Sequence, residues 1–354
     1  MTAAVAIQPE ALTGGAGAPD HILQVGMGFW ASKTLLSAVE LGLFTELSGG
    51  GLTASQVADR LDLHERSRDD FLDALVSLGL LARDGDGPGA VYSNTPDTAA
   101  FLDKGSPAYL GGILEMSSAR LYGFWGSLTE ALRTGLPQNE IKTGAPGLFG
   151  AVYSDPVRLE TFLAGMTGLQ LGAFTALSAT LDLSRHTSFC DIGGANGGLA
   201  AMIAAANPHL TGSVFDLPPV APIAAAHLAR NGVADRVSTV AGDFFVDDFP
   251  AADVYFMGNV LHDWDGATKQ ALIDKAYAGL PSGGLLIAIE NVIDDARRTN
   301  SFGLLMSLNM LIELPGGFDY TGAQFDTWAR HAGFARTEVR HLAGPTSAAI
   351  AYKD

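Results

Sequence analysis

Cysteine is almost absent from this chain of 354 residues: its single thiol, Cys190, excludes an intramolecular disulfide and the stapled scaffolds of small secreted domains. Positive charge is also scarce. Lys and Arg number 21 against 38 Asp and Glu, and a formal net charge of −17 repels nucleic-acid phosphates and anionic lipid unless a basic patch is segregated. No such patch stands out, because the clusters near Arg60 to Arg68 and at Arg297-Arg298 are interleaved with or flanked by acids. No uninterrupted apolar run of membrane-spanning length occurs, and the Ala-, Gly- and Pro-rich start lacks the basic, then apolar, pattern of a signal peptide. These absences set the expectation of a cytoplasmic protein with no nucleic-acid and no membrane partner.

What the chain does have is apolar content, 47%, and a length that favours two domains over one core. Residues 1–18 are expected to be a disordered tail. From Ile22 to Leu47 apolar residues recur at helical spacing and stop at Gly49 to Gly51. Thr53 with Gln56 is a capping-box signature, Ser67 to Leu81 reads as a second amphipathic helix, and Leu80 to Arg83, a turn at Asp84 to Gly89 and Ala90 to Ser93 read as a hairpin. Helix, helix, hairpin is a winged-helix pattern. Its second helix mixes Arg66 and Arg68 with Asp69, Asp70 and Asp73, a poor surface for a DNA groove, so packing and subunit contact around Phe29, Trp30, Leu35 and Leu36 are the expected roles of 19–105.

Residues 106–180 read as mostly helical, broken at Gly135-Leu136-Pro137 and at Gly144 to Gly147, and as a linker contributing to an acceptor pocket. Met116, Tyr122, Phe124, Trp125, Phe149, Tyr153, Phe162 and Met166 either line that pocket or fill a core. In 181–354, strand-like runs alternate with helical ones: Phe189 to Ile192, Ser213 to Phe215, Val237 to Val240, Asp253 to Met257 and Leu285 to Glu290, with Ala348 to Tyr352 as a last, antiparallel strand. The alternation predicts an α/β fold, a Rossmann-like doubly wound sheet.

The run Asp191-Ile192-Gly193-Gly194-Ala195-Asn196-Gly197-Gly198 joins the first of these strands to the helix-favouring Leu199 to Ala206. Glycines let such a loop turn tightly and let its N–H groups approach a ligand, while Asp216, closing the next strand, lies where these folds hold a ribose diol. The G-x-G-x-x-G spacing of dinucleotide sites is missing, which favours a nucleoside without a pyrophosphate. S-adenosylmethionine is the natural candidate. Asp243 with Phe244 follows the third strand, where a carboxylate can take the adenine amino group and a ring can pack on the base; Gly258 to His262, including Asn259, follows the fourth.

His262 stands apart from the other histidines by that position, since an imidazole there can take a proton from a hydroxyl. Glu290 ends an apolar strand and needs a partner, which His262 on the neighbouring strand end can supply; Asp319, after Pro315 to Phe318, is a second candidate. Leu304, Met306, Asn309, Met310, Ile312 and Leu314 suggest a largely apolar acceptor pocket.

Taken together, Asp191 to Gly197, Phe215-Asp216-Leu217-Pro218, Gly242-Asp243-Phe244-Phe245, Leu261-His262-Asp263-Trp264, Glu290, Pro315-Gly316-Gly317, and Phe325 with Ala332-Gly333-Phe334 resemble the small-molecule O-methyltransferases of the plant caffeate and acetylserotonin type and their bacterial natural-product branch. The resemblance covers nearly the whole chain after the tail. It implies a homodimer, with an N-terminal, mostly helical, winged-helix-like dimerisation domain and a C-terminal domain that uses S-adenosylmethionine without metal and releases S-adenosylhomocysteine. It places the general base on His262, supporting acids on Glu290 and Asp319, cofactor contacts on Gly193, Asp216, Leu217, Asp243 and Phe244, and Met166 and Met310 near the acceptor. Asp191, Gly194, Gly197 and Gly258 complete the expected cofactor site, and Trp125, Asn259, Met306 and Asn309 the expected acceptor site. Departures are Ala195-Asn196 where Gly-Thr is usual, Gly258 where lysine is common, Asp319 for Glu, and Tyr320 for Arg. The expected reaction is O-methylation of a small aromatic or polyketide-like hydroxyl. The alternatives are N- or C-methylation, a non-methylating relative using the same cofactor, and a ligand-sensing winged-helix regulator.

Overall fold

The computed structural model describes residues 19–106, 108–145, 152–153 and 155–354, so the expected tail and Phe149 lie outside the described residues. The chain divides into two compact units, one ending at Ala119 and one spanning Arg120–Asp354. The boundary falls inside the stretch 106–180.

In the first unit, helices α1 (Asp20–Gly26), α2 (Gly28–Glu40) and α3 (Leu43–Glu46) replace the single long helix that the periodicity suggests. Gly42, at φ 75°, supplies the left-handed turn between the last two. Strand β1 (Leu52–Thr53) leads into α4 (Ala54–Leu61), whose Thr53–Gln56 capping box is formed as expected. Helix α5 runs over Glu65–Ser77, earlier than its apolar pattern indicates, because the imidazole of His64 caps it by accepting the Arg66 N–H at 3.1 Å. The hairpin of β2 (Leu81–Asp84) and β3 (Val91–Asn94) follows, with β1 on the outer side of β3. Asp73 ties α5 to this hairpin through Arg83 at 2.7 Å and the Tyr92 hydroxyl at 2.8 Å. Short helices α6 (Pro96–Phe101) and α7 (Gly111–Met116) complete the unit. Of the residues expected to serve packing and subunit contact, Leu36 is buried and Leu35 packs on the unit's own core. Ile22, Leu23, Val25, Phe29 and Trp30 remain exposed.

The second unit opens with α8 (Tyr122–Trp125), α9 (Leu128–Thr134) and the long α10 (Pro156–Thr180). Its seven-stranded sheet has the order β6-β5-β4-β7-β8-β10-β9. Strands β4 (Ser188–Ile192), β5 (Thr211–Asp216), β6 (Val237–Ala241), β7 (Val254–Gly258) and β8 (Leu285–Glu290) are parallel; β9 (Arg336–Ala343) and β10 (Thr346–Tyr352) pair antiparallel at one edge. The alternation did not reveal β9. Its Arg336, Glu338 and Arg340 give it the charged face of a protected edge strand, which sequence reads as a surface loop.

Period-two side-chain direction builds two layers on this sheet. Val254 and Phe256 of β7 join one core with Leu199 and Ile203 of α11 (Gly198–Ala206) and Leu228 of α12 (Ala221–Arg230). Tyr255 and Met257 join the opposite core with Leu272 and Ile273 of α13 (Gly266–Gly279) and Phe325 and Ala329 of α15 (Gly322–Ala332). Each such fully buried aliphatic or aromatic side chain contributes about 1.5–3 kcal/mol.

Among the described residues one stretch, Arg158–Thr180 of α10, is long and apolar enough to cross a membrane by length and composition alone. It packs on the sheet domain through Ala173, Phe174 and Leu177. Thr167 and Gln170 interrupt its apolar pattern, and both turn toward the loops that follow β4 and β7, bonding Asn196 and Asn259.

Candidate active site

Strand β4 lies between β5 and β7, where the direction of winding reverses, and open α/β sheets bind ligands at the carboxyl ends of such strands. The glycine loop sits there. Gly193 adopts φ 65°, its N–H donates to Phe215 O at 2.8 Å, and a Cβ would come within 2.8 Å of Val260 Cγ2. A Cβ on Gly194 would press on the Asp191 carboxylate at 2.8 Å, and Gly197 turns the chain into α11 at φ 77°. Ala195 takes a left-handed φ of 51°, a conformation that a glycine would hold with less strain. Asn196 secures the loop by accepting from Thr167 Oγ at 2.6 Å and from the Gly198 N–H at 3.1 Å.

Two acids meet under this loop. Asp216 accepts the Ala195 N–H at 2.9 Å through one carboxylate oxygen and the Leu217 N–H at 2.7 Å through the other. Each oxygen keeps lone-pair capacity for a diol. Asp191 is buried, and its Oδ2 has no hydrogen-bond partner. Burial first, then the charge of Asp216, pushes the Asp191 carboxyl up to about 8. Burial raises Asp216 as well, against its two N–H donors. A buried acid with one unpartnered oxygen, beside a diol-competent Asp216 and beneath a cradle that excludes side chains, fits a compact, cationic, diol-bearing ligand, as S-adenosylmethionine is.

The loop after β6 brings Asp243 and Phe244 to the same end. Asp243 uses one oxygen on the Phe245 N–H at 2.9 Å, and the Phe244 ring lies within 3.9 Å of where a Gly193 Cβ would stand. Trp264 packs edge-on against Phe244 and Phe245, with ring centroids 6.0 and 4.7 Å away. Gly258 ends β7 with its Cβ direction toward Phe174, at 3.7 Å. Asn259, at φ 51°, accepts from Gln170 Nε2 at 3.1 Å, and Gln170 Oε1 is buried without a partner.

His262 occupies a 3₁₀ turn, Leu261–Asp263, and is buried. Its Nε2 lies 3.4 Å from Asp263 Oδ1 and its Nδ1 3.5 Å from Asp319 Oδ1, so the shorter acid at 319 does reach the ring. Glu290 does not grip the imidazole as the strand order suggested. Its Oε1 accepts the main-chain N–H groups of Leu261 and His262 at 2.7 and 3.2 Å, because β8 ends directly beneath that turn. Burial works against a charged imidazole, yet Asp263, then Asp319 and Glu290, outweigh it and push His262 up to about 10. Burial also raises Asp263, to about 6, and raises Glu290. The loop carrying Asp319 is fixed by Phe318 N–H to His262 O at 2.8 Å and by Asp319 N–H to Ser307 Oγ at 3.1 Å.

On the acceptor side, helix α14 (Ser301–Glu313) packs against α8, α9 and the His262 turn. Trp125 Nε1 donates to Asn309 Oδ1 at 2.8 Å, so these two expected acceptor residues hold each other. Met306 is half-buried and Met310 buried on the same helix, and Met166 is half-buried on α10. Two further residues lie beside these groups: Tyr153, named from sequence only among those that either line the pocket or fill a core, and Lys269, which was not named. Tyr153 lies near both Asp216 and Asp263, whose charges add to burial in raising its phenol. Lys269 is wholly buried beside the His262 turn. Tyr153 was one aromatic among many, and Lys269 follows Asp265 by four positions, which reads as a surface helix pair.

Residues 125–335 match a family profile described as an O-methyltransferase domain, and residues 23–104 one described as an O-methyltransferase dimerisation domain. The tetracenomycin polyketide synthesis 8-O-methyl transferase TcmO of Streptomyces glaucescens is 39% identical over 335 residues, 95% of this chain and 97% of the relative. The N,N-dimethyltransferase OxyT of Streptomyces rimosus is 40% identical over 280 residues, 78% of this chain and 80% of the relative. The crystal structure of human N-acetylserotonin methyltransferase in complex with SAM superposes with a TM-score of 0.87 at 29% identity, covering 96% of this chain and 99% of that one. The chain therefore belongs to the S-adenosylmethionine-dependent O-methyltransferase family, and carries that family's dimerisation domain ahead of its catalytic domain.

Proposed function

We propose that this enzyme methylates a hydroxyl of a small aromatic or polyketide-like molecule, with His262 as the general base. The observation that carries the reading is a buried imidazole flanked by Asp263 and Asp319 on the turn that leaves β7, the strand beside β4, which ends in Asp191-Ile192 and the glycine loop. Asp191, Asp216 and the N–H groups of the loop would hold S-adenosylmethionine, with Asp243 and Phe244 at its adenine. Bound there, S-adenosylmethionine supplies a methyl group activated by its sulfonium.

The chain's own residues have three tasks. Trp125, Met166, Met306, Asn309 and Met310 hold an apolar acceptor with few polar anchors. His262 Nε2 receives the acceptor's hydroxyl proton, and Asp263 and Asp319 stabilise the imidazolium that forms. Glu290 keeps the turn in place. Holding the reactants at reacting distance contributes up to about 7–11 kcal/mol, against about 3–5 kcal/mol from the base, so acceptor positioning dominates the rate. In the test, the protein is incubated with S-adenosylmethionine and a panel of phenols and polyketide-derived aromatics, and products are read by mass and NMR. A methyl ether supports the reading; methylation only at nitrogen or carbon overturns it. The N-methyl alternative is worth the explicit assay because OxyT, 40% identical, is an N,N-dimethyltransferase.

The homodimer belongs to the same reading. The exposed Ile22, Leu23, Val25, Phe29 and Trp30 form an apolar face on the dimerisation domain that a second copy would cover. Light scattering should give twice the chain mass, and Trp30→Asp should shift it toward one. A cytoplasmic location completes the proposal, in keeping with a free, buried Cys190.

A further inference from the structure

Helix α14 carries Met306, Asn309 and Met310 at helical spacings of three and four, so these expected acceptor residues share one face. The next position on that face, seven after Met306 and four after Asn309, is Glu313, the last residue of the helix. A carboxylate is costly there: it is 2% exposed, and its charge adds to the negative end of the helix dipole. Donors from residues 120–140 answer it. Glu313 Oε2 accepts from Asn139 Nδ2 at 3.1 Å and from Arg120 Nη2 at 3.2 Å, and Asn139 Nδ2 also donates to the Glu313 carbonyl at 2.8 Å.

All of these bonds fall on one oxygen. Glu313 Oε1 is buried with no hydrogen-bond partner. Arg120 also grips Glu140 through Nε and Nη2, both at 2.6 Å, so two carboxylates share one guanidinium. The end of α14 therefore holds a carboxylate fixed by one oxygen and short of a donor at the other. Its neighbours are those of the acceptor. Arg120 lies over Phe124, 5.3 Å from the ring centroid, and the adjoining Trp125 donates to Asn309, one turn before Glu313. At the other end of the helix, Ser307 Oγ accepts the Asp319 N–H at 3.1 Å, and Asp319 lies 3.5 Å from the His262 ring. From Met306 to Glu313 the axis rises about 10 Å, at about 1.5 Å per residue, which is the length of two or three fused aromatic rings.

We propose that Glu313 is the specificity-determining anchor of the acceptor site: its Oε1 accepts a hydrogen bond from a second hydroxyl, at the end of the acceptor remote from the hydroxyl that faces His262. The substrate class is then a polyhydroxylated aromatic of two or three fused rings lying along α14. Arg120 and Asn139 hold the carboxylate in place and leave the acceptor to Oε1. An acceptor without the second hydroxyl leaves that oxygen buried and unpaired, which is how a site built for a hydrogen bond rejects the analogue that lacks it. The assignment rests on the reading of this face of α14 as the acceptor wall and deepens it; its test reads binding and needs no methyl transfer.

The full protein, loaded with S-adenosylhomocysteine so that nothing turns over, is titrated with anthraflavic acid, a three-ring quinone with hydroxyls at opposite ends, and with its monohydroxy counterpart, which lacks only the remote hydroxyl. Anthraflavic acid should bind tighter by about tenfold or more, as expected of a hydrogen bond to a charged group. Equal affinities in the wild-type protein overturn the proposal, and so does binding of neither compound. Glu313→Met should bring the two affinities within about twofold of each other, by weakening anthraflavic acid and sparing the monohydroxy compound. An equal loss for both would make Glu313 a structural support alone and overturn the proposal. Glu313→Gln keeps an oxygen for Asn139 and Arg120 and covers the case in which Glu313→Met does not fold. It should narrow the preference while retaining the monohydroxy compound, and an unchanged preference would again overturn the anchor. The wider reading fails separately. Full turnover by His262→Ala would remove the base while leaving the preference between the quinones, and equal affinities beside methyl-ether formation would remove the anchor while leaving O-methyl transfer.

Discussion

Glu290 Oε1 accepts the N–H groups of both Leu261 and His262, at 2.7 and 3.2 Å, so the acid at the end of β8 fixes the backbone from which the imidazole projects. Glu290→Ala strands two buried donors and should destabilise the fold by about 2–4 kcal/mol. Glu290→Gln keeps an acceptor oxygen and should lose much less. Thermal unfolding of the pair measures the difference, and equal losses would mean that the main-chain bonds are not what matters.

His262 carries a pH signature in stability as well as in rate. Its folded value, about 10, lies above the ordinary imidazole value of about 6.5, so its contribution is complete below pH ~6.5 and is lost as pH rises through ~10. The ligand-free protein should therefore lose Tm between pH 7 and 10, with a shallower fall in His262→Ala. With His262 as the proposed base, whose free form would be the active one, kcat/KM should rise with pH over that window.

Asp191 titrates in the same sense but in a lower window. With its folded value raised to about 8 from about 3.9, its contribution is complete below pH ~4 and lost as pH rises through ~8. Asp191→Asn should raise the Tm of ligand-free protein at pH 9 by several degrees relative to its effect at pH 4. It should also weaken S-adenosylmethionine binding in calorimetry by tenfold or more, since the acid's unpartnered oxygen and its charge are gone.

Gly193→Ala tests the cradle. The left-handed φ of 65° costs a non-glycine residue about 1–2 kcal/mol, and the new methyl would press on Val260 at 2.8 Å. Lower Tm and weaker cofactor binding are expected together. Unchanged binding with lowered Tm would place the ligand away from this loop.

Much of this site was legible because its residues sit at ends of apolar strands. A glycine loop after β4, Asp216 after β5, Asp243 after β6 and His262 after β7 follow from periodicity and from the rule for where parallel sheets bind ligands. The charged edge strand β9 was not legible, because the exposed Arg336 and the half-buried Glu338 and Arg340 look the same in a loop. Nor was the inward turn of Lys269, which depends on the loop 315–320 folding over α13, a contact between positions distant in sequence. The role of Glu290 was half legible. An acid closing a buried strand announces that it needs a partner, but whether that partner is a ring or a main-chain N–H is decided by the 3₁₀ turn at Leu261–Asp263.

The most direct test is single-turnover methyl transfer by His262→Ala, run beside calorimetric titration of the same variant with S-adenosylmethionine. The account predicts a rate lower by about 10²–10⁴ with cofactor affinity within about twofold of wild type. Transfer at the wild-type rate, with the cofactor bound as before, would contradict it.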